Sequence, residues 1–194
     1  MKIHVSNGRV VDPKSGRDAN EDVYIEAGRV TGIGRAPEGF KAGRVIDAAG
    51  LVVAPGLVDL SARLREPGFE YKATLETELG AAVAGGVTSL ACPPDTDPPL
   101  DEPGLVEMLQ RSARGLDLAH VHPVGALTAQ LAGVRLTEMV LLHEAGCIAF
   151  SQADVPMPDT QVLWRAMQYA STFGFALWLR PQDGFLARDG VAHD

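Results

Sequence analysis

Apolar and polar positions follow two different regimes along the chain. Up to residue 51 the apolar residues come in short runs: Ile3-His4-Val5, Arg9-Val10-Val11, Asp22-Val23-Tyr24-Ile25-Glu26, Arg29-Val30-Thr31-Gly32-Ile33 and Val45-Ile46-Asp47. Short runs of this kind between glycine and proline turns predict β-strands. Glu26-Ala27-Gly28-Arg29 reads as a tight hairpin, with Gly28 free to take positive φ. Residues 1–51 therefore read as a small β module.

From residue 52 the pattern changes. Val52, Val53, Leu57, Val58 and Leu60 form an apolar run of the kind expected for a strand buried on both faces. Helical periodicity follows over Tyr71–Ala84, with Leu75, Leu79, Ala82 and Val83 on one side and Gly85-Gly86 as the stop. Three more helices are predicted: Asp101–Arg114 with a Leu105, Met108 and Leu109 stripe, Leu136–Ala145, and Thr160–Thr172 stopped near Gly174. Between them lie four apolar strands: Val87–Cys92, His120–Leu127, Cys147–Phe150 and Phe175–Leu179. Strands alternating with helices imply right-handed crossovers and a parallel sheet. Periodicity alone leaves a barrel and an open doubly wound sheet as alternatives. Five strands are counted over 52–194, whereas a closed eight-fold barrel takes roughly 250 residues. The segment reads as the first strands and helices of a longer unit. Its unpaired edge and apolar face call for a partner chain, a second fragment or a domain-swapped copy to cover them.

Charge narrows the class of partner. There are 25 acidic and 17 basic residues, a net charge of −8, which argues against a nucleic-acid footprint. Apolar residues make up 46% of the sequence, enough for a substantial core. No uninterrupted apolar segment approaches the ~20 residues that span a bilayer, and the alternating N-terminus has no signal-peptide core. The expected location is the cytoplasm, and Cys92 and Cys147 read as buried reduced thiols rather than a disulfide.

Two stretches resemble sites and read better as structure. His120-Val121-His122 has a metal-binding spacing, but no carboxylate or third histidine is placed to complete it, so these are core or rim histidines. Gly80–Gly86 ends a helix and precedes a strand, the reverse of the order that binds phosphate. It reads as helix–barrel packing followed by a cap. Trp164, Tyr169 and Trp178 read as core or interface anchors.

The segment Pro55-Gly56-Leu57-Val58-Asp59-Leu60-Ser61-Ala62-Arg63-Leu64-Arg65-Glu66-Pro67-Gly68 resembles the cyclic amidohydrolases of the dihydroorotase type. In that family it runs Pro-Gly-Leu-Val-Asp-Leu-His-x-His-Leu-Arg-Glu-Pro-Gly. The resemblance extends from Gly8-Arg9-Val10-Val11-Asp12-Pro13 to the tail Gly190-Val191-Ala192-His193-Asp194, which is similar to the family's Gly-Val-Met-His-Glu. It implies the N-terminal part of a TIM-type (β/α)8 barrel over 52–194. The module at 1–51 is then part of a composite β-sandwich completed by C-terminal strands.

Active relatives hold zinc in a two-metal cluster that activates a water and polarises an amide carbonyl. The family's positions fall here on Ser61 and Arg63 (two histidine ligands), Ala153 (a bridging carboxylate) and Arg180 (a histidine ligand). The asparagine of its Met-Pro-Asn-Thr-Asn-Pro segment becomes Asp95. Only Arg65, the family's substrate-carboxylate arginine, is kept, and it is expected to pair with Asp95 or Glu66. Arginine stays protonated and has no lone pair to give. A guanidinium about 4 Å from a dication would cost roughly 8 kcal/mol at an effective dielectric near 20. Ser61, Arg63, Arg65, Asp95, Ala153 and Arg180 thus outline a vestigial pocket, with no catalytic, cofactor-binding or metal residue assigned.

By its Leu-Arg-Glu-Pro-Gly and Cys-Pro-Pro segments, the chain resembles the inactive dihydroorotase-like subunits of bacterial pyrimidine biosynthesis. That resemblance implies assembly with aspartate carbamoyltransferase catalytic chains, in an architectural role. The competing expectation is an active dihydroorotase, or an allantoinase- or hydantoinase-like enzyme, with relocated ligands. A weaker third is a small-molecule sensor built on Arg65.

Overall fold

A computed structural model describes residues 1–184. They form two units, Met1–Gly56 and the part from Leu57 onward.

The first unit is a five-stranded sheet of β1 (Lys2–Asp12), β2 (Arg17–Glu26), β3 (Arg29–Ile33), β4 (Arg44–Asp47) and β5 (Val52–Val53). The predicted strands at Ile3 and Arg9 are one long strand, irregular between Val5 and Gly8, where Asn7 takes positive φ. β1 pairs antiparallel with β2 and parallel with β4 and β5. Both Ala27 and Gly28 have φ > 0, as the tight β2–β3 hairpin requires. Val52 and Val53 pair with Arg9 and Val10, so the apolar run expected to be one barrel strand is split. Its first part belongs to this sheet, which continues the unit to Gly56.

The second unit is a five-stranded parallel sheet of β6 (Leu57–Asp59), β7 (Val87–Cys92), β8 (His120–Ala126), β9 (Ala149–Ser151) and β10 (Leu177–Trp178). The strands lie in chain order, with β6 and β10 at the edges, as in the first five strands of a barrel. The strand expected to be buried on both faces is instead exposed: Leu57, Val58 and Leu60 are 61%, 63% and 65% accessible. The physical reason is position. Among the described residues β6 has a neighbour on one side only, which leaves its other flank uncovered.

The helices are α1 (Leu75–Ala84), α2 (Pro103–Gly115), α3 (Met139–Glu144) and α4 (Thr160–Phe173), with a single 3-10 turn at Ala129–Leu131. α1 starts later than its periodicity suggests because Thr74 forms a capping box with Thr77. α4 is capped by the Asp159 carboxylate and ends at Gly174 in the left-handed region. On α2 the buried stripe is Val106, Leu109 and Ala113, while the expected Met108 is exposed. α3 covers only the centre of its predicted span, because Thr137 turns back to the carbonyls of Ala126 and Leu127. Gly80 has open space where a Cβ would be, so no close packing demands glycine there.

Leu64, Leu79, Leu90, Leu109, Leu142 and Phe150 belong to the core that joins the sheet to its helices. On another patch of the strands a much smaller set, Ala91, Val124 and Ala149, packs with half-buried Trp178. Among the described residues no helix is long and apolar enough to cross a membrane.

Candidate functional site

Small side chains on that second patch leave room. A cleft of about 600 Å³ opens there, lined by Ser61, Arg63, Val124, Ala153, Trp178 and Arg180 among others. Its polar side chains lie just past the C-terminal ends of the strands, where barrel sites are built.

Arg63, four residues beyond β6, is the centre of the site. Its Nε donates to Asp95 Oδ2 at 2.6 Å, and its Nη2 donates to Asp154 Oδ2 at 2.5 Å. Asp95 follows β7 and Asp154 follows β9, so one side chain joins three strand ends. Arg180, after β10, donates through Nη1 to the other oxygen of Asp154 at 2.8 Å. The result is a chain Asp95–Arg63–Asp154–Arg180 of alternating charge. The bond from Arg180, with the nearby charge of Arg63, holds the Asp154 carboxyl below its ordinary range. The Asp95 carboxylate in turn raises the Arg63 guanidinium further above neutrality.

Five of the six residues singled out from the sequence lie in or beside this network. Ser61 and Ala153 line the cleft without entering the ion pairs; the Ala153 N–H donates to Ser151 Oγ at 3.0 Å. Arg65 departs from expectation. The strand ends at Asp59, Arg65 has a φ of 65°, and it is not among the cleft's lining residues. It pairs with neither expected acid: Asp95 is taken by Arg63, and Glu66 Oε2 accepts the Leu75 N–H at 2.9 Å. Arg65 makes no ion pair among the described residues.

Asp154 is the residue that sequence reasoning passed over. Its signal was a carboxylate one place beyond Ala153, the position the family fills with an acid.

The loops around the site are held by structural contacts. Gly68, at φ 95°, lies so near Asp97 that a Cβ would sit 2.2 Å from its carbonyl oxygen. Asp97 N donates to Pro67 O at 3.1 Å across the same contact. Just past the end of β9, Gln152 is buried, with Oε1 accepting from Thr128 Oγ1 at 2.9 Å and Nε2 donating to Leu131 O at 2.6 Å. His120 and His122 are exposed and lie near the start of β8, at the end of the sheet opposite the cleft. Trp164 is 61% accessible, and Tyr169 is half-buried against the core.

Zinc does not suit these side chains. Two guanidiniums, a methyl and a hydroxyl stand where donors would be needed. Among the described residues no group of three or more His, Cys, Asp or Glu is arranged to hold a metal ion. The tail at 190–194, which carries part of the resemblance, lies outside the described residues.

Known proteins agree on the family. The chain is 46% identical over 194 residues to a dihydroorotase-like protein of Pseudomonas putida, covering all of this chain and 46% of that one. It is 42% identical over 197 residues to a dihydroorotase of Pelobacter propionicus, again covering 46% of it. The chain thus spans about half the length of the curated relatives it matches. Among solved structures it is similar to L-hydantoinase (dihydropyrimidinase) from Arthrobacter aurescens, with a TM-score of 0.77 and 25% identity over 92% of this chain and 40% of that one. The dihydropyrimidinase of Brevibacillus agri shares the fold, with a TM-score of 0.72 over 95% of this chain and 41% of its own. The dihydro-orotase-like family matches residues 50–194, and the chain belongs to that family.

Proposed function

We propose that this chain acts as a non-catalytic dihydroorotase-like component of pyrimidine biosynthesis, assembling with aspartate carbamoyltransferase catalytic chains. One observation carries the non-catalytic reading: Arg63 and Arg180 occupy the strand ends and bind the nearby carboxylates themselves. A dication placed among them would meet two fixed positive charges and compete for oxygens already engaged. The described residues of the cleft also speak against cyclic-amide hydrolysis. That reaction needs an activated water and a polarised carbonyl. Within the ion-pair chain both carboxylates, the candidate bases, are held by guanidiniums.

What the chain keeps of the family's pattern has mechanical duties. Glu66 caps α1 and Gly68 permits the close approach of two loops. These duties persist without catalysis and preserve a rigid surface. The assembly role rests on the resemblance of Leu64–Gly68 and Cys92-Pro93-Pro94 to the inactive subunits that accompany the transferase. Co-expression of the full-length protein with the transferase is expected to give one large complex with carbamoyltransferase activity, and less activity when this chain is left out. Transferase activity that is indifferent to the chain would refute the assembly role. Stoichiometric zinc in the purified protein, together with turnover of dihydroorotate, would refute the non-catalytic one and favour an active cyclic-amide hydrolase.

A further inference from the structure

The outward side of α4 carries a surface that neither the core nor the cleft uses. Ala166 and Ala170 are buried, and Leu163 and Tyr169 pack against the same core. Successive helical residues turn by about 100°, so Trp164 sits roughly 160° around the helix from Ala166. Thr160, Gln161, Trp164, Met167, Gln168 and Ser171 share that far side and are all exposed, Trp164 at 61% and Met167 at 49%. Among the described residues the Trp164 ring stacks on nothing and its indole N–H has no partner. None of the six is charged, and Arg165, the only charged side chain of the helix, lies off this side. A neighbouring helix in the outer ring of a barrel reaches the flanks of α4, not the side turned directly away from the sheet.

We propose that this face of α4 is an interaction surface whose occupant is α4 of a second copy of this chain, paired antiparallel about a two-fold axis. Depletion of charge around an aromatic centre is what distinguishes the core of an interface from ordinary surface. Charge also selects the occupant. The chain carries a net charge of −8, so two copies repel wherever their ionised surfaces meet. On the outward side of α4 they meet without opposing charges. The face is self-complementary as well, as a two-fold contact requires. An axis midway between Met167 and Gln168 sets each Trp164 over the second copy's Ser171, large against small, and each Met167 against the second copy's Gln168. The Ser171 hydroxyl then offers the indole N–H the acceptor it lacks. A 14-residue helix is only about 21 Å long, so the pair anchors the centre of the contact and association is reversible and concentration-dependent. The proposal does not depend on the transferase assembly.

The test is analytical ultracentrifugation of the full-length protein over a range of concentrations, with circular dichroism to check that each variant keeps its helix content. Wild type is expected to rise with concentration to twice the mass of one chain. Met167→Glu should hold it at the single-chain mass. Adding Gln168→Lys to Met167→Glu should restore the doubled mass, because the two-fold axis then sets each new carboxylate against the second copy's new ammonium. Arg165→Glu, which makes the helix more acidic off this face, should leave the doubling intact. A wild type that stays at the single-chain mass, or a Met167→Glu variant that still doubles, overturns the proposal. So does failure of Gln168→Lys to rescue, since only a copy of the same helix carries that lysine. Equal loss of doubling in Arg165→Glu would show that net charge rather than this face governs association, and also overturns it. A Met167→Glu variant that keeps the doubled mass but no longer joins the transferase would assign the face to that partner instead.

Discussion

Gly68→Ala should be among the most damaging single-methyl changes in the second unit. Glycine at φ 95° accepts a backbone conformation that L-residues rarely adopt, and Asp97 closes off the space a side chain would need. The new Cβ would lie 2.2 Å from the Asp97 carbonyl oxygen and 2.5 Å from its Cβ, so the two loops must separate. The backbone penalty is about 1–2 kcal/mol, and relief of an overpacked contact adds about 1–3 kcal/mol. The sum, roughly 2–5 kcal/mol, lowers the melting temperature of a domain this size by roughly 4–20 °C. Gly174→Ala is the matched control, since Gly174 also has positive φ (70°) but nothing within 4 Å of the added methyl. It should cost only the backbone share, about 1–2 kcal/mol. Thermal unfolding of both variants, followed by circular dichroism, separates the two contributions. Equal melting temperatures for Gly68→Ala and Gly174→Ala would show that the Pro67–Asp97 contact does not constrain the loops, and the steric argument would fall.

Acid should loosen the strand-end network. Asp154 has a depressed folded-state pKa, so its contribution is complete above the unfolded value near 4 and is lost as pH falls through the lower folded value. Half exposure limits that contribution to below about 1 kcal/mol; denaturant melts at pH 5 and pH 3 should show a smaller acid-induced fall for Asp154→Asn than for wild type. Gln152→Leu leaves the Thr128 hydroxyl and the Leu131 carbonyl without their buried partners, and should cost about 2–4 kcal/mol in urea unfolding. A loss indistinguishable from zero would mean that water replaces the amide. Burial pushes the Cys92 and Cys147 thiols up to about 12, so neither should react with a thiol-selective disulfide reagent at pH 8 until the protein is unfolded. Because the unfolded thiols ionise near 8.5, their burial also makes stability decline above that pH. Rapid labelling of the native protein would contradict the burial.

How much of this was legible in the sequence depended on the kind of signal. Val87–Cys92 and Thr160–Phe173 were readable almost to the residue, because apolar continuity and a helix bounded by Asp159 and Gly174 are local features. Exposure of Leu57, Val58 and Leu60 was not, since burial of a strand depends on which neighbours the sheet supplies. The split at Val53 was hidden for a similar reason: Val52 and Val53 are as apolar as Leu57, and only pairing with β1 tells them apart. At the site, the positions of Ser61, Arg63, Ala153 and Arg180 followed from the family's pattern. The two partners of Arg63, Asp95 and Asp154, did not. Asp154 lies 91 residues away in the chain, and no periodicity reports a contact at that separation.

The Arg63–Asp154 pair has a geometric consequence. Arg63 follows β6 and Asp154 follows β9, with β7 and β8 lying between those strands. Three interstrand spacings in a flat sheet come to about 14 Å, so the pair works like the tie rod of an arch, drawing two distant footings inward and resisting any tendency of the span to flatten. Strands braced in this way hold the bend of a closed cylinder across the whole span from β6 to β9.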